Sequence, residues 1–142
     1  MTDTETAKAL LDSGEYTIVL CKNRDIVTSQ KSGIAPMLDF IERGIELDGY
    51  SAADKIVGKA AALLFVLVGI KAVYAEVLSE SGAETLRSHS VPFSYGTLCS
   101  AIKNRGTGIC PMEQTVADIQ SPDEAHDALV KKLDELRNGV KK

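Results

Sequence analysis

Residues 51–78, SAADKIVGKAAALLFVLVGIKAVYAEVL, decide how the chain is read. Ser51-Ala52-Ala53-Asp54 has the S-x-x-D form of a helix-capping box, which predicts a helix over about 52–69. No charged residue interrupts Ala60–Ile70, so this helix has no polar face there and should be buried on most sides. Its small residues Gly58, Ala60, Ala61 and Ala62 admit another backbone at close range, and Gly69 ends it. Lys71–Leu78 then reads as a strand, placed centrally. A buried helix followed by a strand is the crossover unit of an α/β domain.

The flanks fit that unit. Residues 4–12 form a short helix with Ala7, Leu10 and Leu11 on one face, ended by Gly14. Tyr16–Cys21 and Ile26–Ser29 are strands joined by the turn Asn23-Arg24-Asp25, making a hairpin. Ser32-Gly33 opens a helix with Pro36 in its first turn and a stripe of Ile34, Met37, Leu38, Ile41 and Ile45. Beyond the central unit, Ser79-Glu80-Ser81-Gly82 is a turn into a short helix over about 82–88, and Val91–Tyr95 is a short strand. Residues 97–103 fit a strand or a helix, and Asn104-Arg105-Gly106-Thr107-Gly108 is a loop. Pro111 starts a helix with Cys110 at or beside the cap. Ser121-Pro122-Asp123-Glu124 opens the last helix, apolar at Ala125, Leu129, Leu133 and Leu136. The chain is therefore read as one α/β domain over residues 1–142, a mixed sheet with helices on both faces.

Composition narrows the function classes. The 142 residues suit one domain, and a net charge of −4 argues against a basic nucleic-acid binder. Tryptophan is absent, so base-stacking platforms and aromatic cages are not expected. Cys21, Cys99 and Cys110 are odd in number and lack C-x-x-C spacing, which favours a reducing cytoplasm. The uncharged run 60–70 is short of the roughly 20 residues a bilayer needs, so no membrane partner is expected.

Three segments could carry chemistry. In the helix over about 52–69, Lys55 and Lys59 lie one turn apart on one face, close to a helix start that is already positive. That makes sense if an anion sits there, with Asp54 and Gly58 shaping the place. The plain alternative is two solvated lysines beside a capping aspartate. In Cys110-Pro111-Met112-Glu113 a thiol stands at a helix start with an acid/base group three residues on, or it is a structural cysteine. Asn104-Arg105 and the loop glycines offer phosphate contacts or form an ordinary surface loop, and Ser79, Ser81 and Gly82 lie at a strand's carboxyl end, where open α/β sheets bind ligands. His89 and His126 match no zinc spacing, so no metal and no cofactor are expected.

The string Asp54-Lys55-x-x-Gly58-Lys59-Ala60-Ala61-Ala62, with Asn104-Arg105 and Cys110-Pro111-x-Glu113, resembles an uncharacterised prokaryotic family of unknown function with a cytidine deaminase-like fold. The resemblance runs from Tyr16 to about Val116. It implies a three-layer α/β/α sandwich around a mixed sheet. It also implies that the zinc motifs are missing: Asp54–Lys59 stands where H-x-E belongs, and Ser79–Gly82, which has no cysteine, stands where P-C-x-x-C belongs. What it leaves is a pocket where two helix starts meet at the sheet edge.

The leading expectation is a metal-independent, deaminase-like domain that binds a nucleotide or related phosphorylated ligand. Lys55, Lys59 and Arg105 would hold phosphate, Asp54, Ser81 and Glu113 would shape the pocket, and Cys110 would be the nucleophile if there is a reaction. The alternative is a non-catalytic regulatory or redox-sensing module responding through Cys110. The partner expected is a small anionic ligand, with no nucleic acid and no membrane; the resembled fold often forms homo-oligomers.

Overall fold

In the computed structural model, residues 2–102 and 110–138 are described. The hairpin forms as read, β1 (Ile18–Lys22) and β2 (Asp25–Ser29), with Asn23 in the left-handed region at the turn. The opening helix α1 (Asp3–Asp12) is closed by a capping box between Thr2 and Glu5. Helix α2 (Ala35–Glu42) carries Pro36 in its first turn and buries Met37, Leu38 and Phe40.

The decisive segment folds differently from its reading. Ser51–Val57 is a strand, β3, and the helix α3 begins only at Lys59 and runs to Val68. Ser51 and Asp54 therefore cap nothing, and the cap of α3 is Gly58. Lys55 and Lys59 do not share a helix face, because Lys55 belongs to the strand. Next come β4 (Ala72–Ser79), α4 (Glu80–Ser88) and β5 (Phe93–Cys99). Ser79–Gly82 is thus a direct strand-to-helix junction rather than a free turn, and the ambiguous 97–99 continue a strand. The five-residue α5 (Pro111–Thr115) and long α6 (Pro122–Arg137) close the chain. The loop residues Asn104 and Arg105 lie outside the described residues.

The sheet order is β2-β1-β3-β4-β5. β1 pairs antiparallel with β2 and β3, while β3, β4 and β5 run parallel. The central strand is therefore β3, not β4. Its Ala52 belongs to the core cluster that α2, α3, α4 and α6 share on one face, and Ala53 packs under α1 on the other. A strand sandwiched between two helical layers needs small residues where helices approach. That is why an alanine-rich segment with good helix propensity is extended here: tertiary burial outweighs propensity. The result is a three-layer α/β sandwich around a mixed sheet.

Helix α1 covers its face through a small cluster of Ala7, Leu11, Val19, Cys21 and Ala53. Leu11 is fully buried in it. Truncating that side chain leaves a cavity that a one-helix layer cannot fill from a second helix. Leu11→Ala should lower unfolding free energy by about 2–5 kcal/mol in urea titration, with far-UV circular dichroism unchanged.

Candidate functional site

The parallel strands β3 and β4 end at Val57 and Ser79, and the chain turns at once into α3 and α4. A helix start leaves four backbone N–H groups without intrahelical partners. In α3 two of them are taken by one side chain from α5: Lys59 N donates to Glu113 Oε1 and Ala60 N to Glu113 Oε2, each at 2.9 Å. Glycine at 58 follows from this fork, because a Cβ there would lie 2.6 Å from the Glu113 carboxyl carbon. Lys59 returns the contact, its Nζ donating to Ala117 O at 3.0 Å. The two elements are clasped in both directions.

The start of α4 is closed by its own chain: Ser79 Oγ accepts from Gly82 N at 3.0 Å and meets Ser81 Oγ at 3.2 Å. A Cβ on Gly82 would come within 3.1 Å of the Gly58 carbonyl, so the two helix starts abut. The expected anion at the α3 start is thus the protein's own carboxylate. A charged acceptor on two N–H groups at the positive end of a helix dipole is a strong local contact. Both Glu113 oxygens are thus engaged with α3 amides, and the Cys110 thiol makes no capping bond to the short α5.

Two cavities share Glu113 and Ile102 in their walls. The larger, about 520 Å³, lies between α4 and α5 and is lined by Lys59, Ser81, Glu84, Thr85, Ser88, Glu113, Gln114 and Gln120, with Ala101, Ile102 and Ala117. The smaller, about 250 Å³, has mostly apolar walls of Ile34, Ile56, Ala61, Ile102 and Met112. Asp54, Lys55, Gly58, Cys110, Thr17 and Ser32 also border it.

Among the described residues, each cavity is lined by one buried ionisable group of a different kind. Lys59 is only 8% exposed, and among the described residues no carboxylate lies within ion-pair distance of its ammonium. Asp54 is 6% exposed. Burial pushes its carboxyl up to about 8, against the backbone N–H groups of Lys55 and Ile56, which pull it down. It is therefore mostly neutral at pH 7.

Of the residues singled out from the sequence, Asp54, Lys55, Gly58 and Cys110 border the small cavity, Lys59 and Ser81 the large one, and Glu113 both. Ser79 and Gly82 form the α4 cap rather than cavity wall. Asn104 and Arg105 lie outside the described residues. Thr85, Ser88, Gln114 and Gln120 were not anticipated. The signal for two of them was present, since Ser81, Glu84, Thr85 and Ser88 recur at helical spacing along one face of α4. Among the described residues no three His, Cys, Asp or Glu side chains cluster as metal ligands, and no helix is long and apolar enough to cross a membrane.

Comparison with known proteins adds two findings. A family model, TM1506, described as a domain of unknown function (DUF1893), matches residues 6–133. The crystal structure of a DUF1893 family protein (TM1506) from Thermotoga maritima, at 2.70 Å resolution, superposes with a TM-score of 0.82 at 25% sequence identity. The match covers 90% of this chain and 88% of that one. No curated protein matches the chain.

Two outcomes follow from this geometry. Gly58→Ala expels the Glu113 carboxylate, so it and Glu113→Ala remove the same contact. Each single variant should lose about 1–2 kcal/mol of stability, and the double variant should lose clearly less than the sum in a double-mutant cycle. Asp54 binds its proton more tightly folded than unfolded. Its stabilising contribution is therefore complete below the unfolded carboxyl value near 4 and is lost as pH rises through about 8. Denaturant titrations between pH 5 and 8 should show Asp54→Asn removing a falling slope of up to about 1.4 kcal/mol per pH unit.

Proposed function

We propose that this chain, which belongs to the DUF1893 family, is a deaminase-like domain that binds a nucleotide or related phosphorylated ligand at the two neighbouring cavities that share Glu113 and Ile102, without the zinc chemistry of the deaminases. The mixed sheet between helical layers supports the deaminase-like part, as do two helices starting side by side at the ends of parallel strands. The starts of α3 and α4, Gly58-Lys59 and Ser79–Gly82, carry neither Cys nor His, which is the reason to set zinc catalysis aside.

The observation that carries the ligand class is Lys59. A buried ammonium without a paired carboxylate is costly, and an anion entering the larger cavity would supply the missing charge. Glu113 is engaged with the α3 backbone and Glu84 stands in solvent, so neither carboxylate fills that place. The hydroxyls and carboxamides beside Lys59 suit a sugar-phosphate portion, and Lys55 adds a second cation bordering the smaller cavity. Because Glu113 holds the α3 start, phosphate is assigned to the Lys59 ammonium and not to the helix terminus.

A second reading, a redox-responsive module, draws on the Cys110 thiol in the wall of the smaller cavity. It requires rapid thiol labelling of Cys110 in the native protein and a change in ligand binding after oxidation; labelling as slow as that of buried Cys21 would end it.

The leading reading is tested by calorimetric titration of nucleoside 5′-monophosphates into wild type and Lys59→Met. Methionine keeps the apolar stem and removes the charge. Binding should weaken at least about tenfold, near 1.4 kcal/mol, with the melting temperature held or raised. Unchanged affinity in Lys59→Met would refute the assignment.

A further inference from the structure

The outer edge of β5 is bare. Among the described residues β5 pairs only with β4, and no strand lies on its other side. The Pro92 carbonyl accepts from Val73 N at 3.0 Å, so alternation along the strand turns the N–H and C=O groups of Phe93 and Tyr95 outward. Edge strands are normally blunted by charge, proline or shortness. β5 has none of these: Phe93-Ser94-Tyr95-Gly96-Thr97-Leu98-Cys99 is seven residues long without a charge or a proline. The opposite edge, β2, has only five residues and begins at Asp25. Tyr95 and Leu98 are 45% and 43% exposed, although Ala75 and Leu78 beside them on β4 are fully buried in the core that α4 shares.

We infer that this edge binds a second copy of the chain, the two β5 strands pairing antiparallel about a two-fold axis to make one continuous sheet. Helix α4 singles out that occupant. It runs back along β5, starting at Glu80 beside the register partner of Cys99 and carrying Arg87 over the Phe93 ring at 5.6 Å. It rests on β4 and β5 alike. With strands about 4.8 Å apart, a helix seated between β4 and β5 lies about 5 Å from an axis on the outer edge. The two copies of α4 then come about 10 Å apart on one side of the sheet, the separation of packed helices. The axis sets them antiparallel. Glu80 and Arg87, seven residues apart and so on one helix face, are both exposed and form no ion pair among the described residues. Arg87 of each copy faces Glu80 of the other, and Tyr95 and Leu98 are covered beneath the helix pair. An unrelated strand would satisfy the backbone edge but leave these charges unmatched. The uncharged side chains of β5 put no like charge opposite its own copy.

The test is sedimentation velocity of the full chain over a dilution series through the micromolar range. Wild type should sediment as a dimer that dissociates on dilution. Tyr95→Lys places a charge at the paired edge and should raise the dimer Kd at least about tenfold. Glu80→Arg and Arg87→Glu each set like charges together twice across the axis, and each should raise the Kd about tenfold. Glu80→Arg combined with Arg87→Glu restores both pairs with their signs exchanged and should return to within about threefold of wild type. These reversals lie on an exposed helix face, so they report on the pairing even if Tyr95→Lys disturbs the strand. A wild type that stays monomeric at the highest concentration overturns the inference and leaves the edge to an extended segment of another protein. A dimer indifferent to Tyr95→Lys and to both single reversals overturns it too, because its interface lies elsewhere. A double reversal no tighter than the single ones overturns the antiparallel placing of the two α4 helices.

Discussion

The forked contact from Glu113 to the first two amides of α3 organises the carboxyl edge of this sheet. It joins residues 54 and 53 positions apart. It satisfies two N–H groups that no side chain at position 58 could reach, since that position must be glycine to let the carboxylate in. It also brings the short α5 against α3, which sets Met112 and Cys110 in one cavity wall and Gln114 in the other. Lys59 completes the clasp from the opposite side and is thereby held buried above the larger cavity. A five-residue helix has little stability of its own; here its position is set by what it caps.

From that clasp the two cavities inherit different chemistry. On one side a buried cation stands among hydroxyls and carboxamides. On the other a buried aspartate lines a cavity with mostly apolar walls. Neither arrangement is what packing alone favours, because each buries a titratable group at a cost in stability. Proteins keep such groups where they contact something else. The reading of a phosphorylated ligand rests on the first of these, the buried ammonium of Lys59.

Much of the architecture was legible because it is written locally. The hairpin follows from β-branched residues around Asn23, and the last helix from Ser121-Pro122 and the spacing of Ala125 and Leu129. The central strand was not, because Ser51-Ala52-Ala53-Asp54 carries a genuine helix-start signature. Only the sandwiching of Ala52 and Ala53 between helical layers makes it extended. Glu113 was legible as a polar residue beside a helix start, but the helix it serves lies far away in sequence, and spacing arguments are blind to that. The idea that an anion belongs at the start of α3 was physically sound; the chain itself provides it. Lys59 was found from sequence by its charge, whereas its burial and lack of a paired carboxylate needed the fold.

The central claim is that the junction at Glu113 is a ligand site, and chemical-shift mapping tests it most directly. Cytidine 5′-monophosphate titrated into nitrogen-15-labelled protein should produce saturable shifts on Asp54–Ala60, on Ser81–Ser88 and around Glu113. No saturable change there, or changes confined to the distant cleft between α2 and α6, would contradict the account.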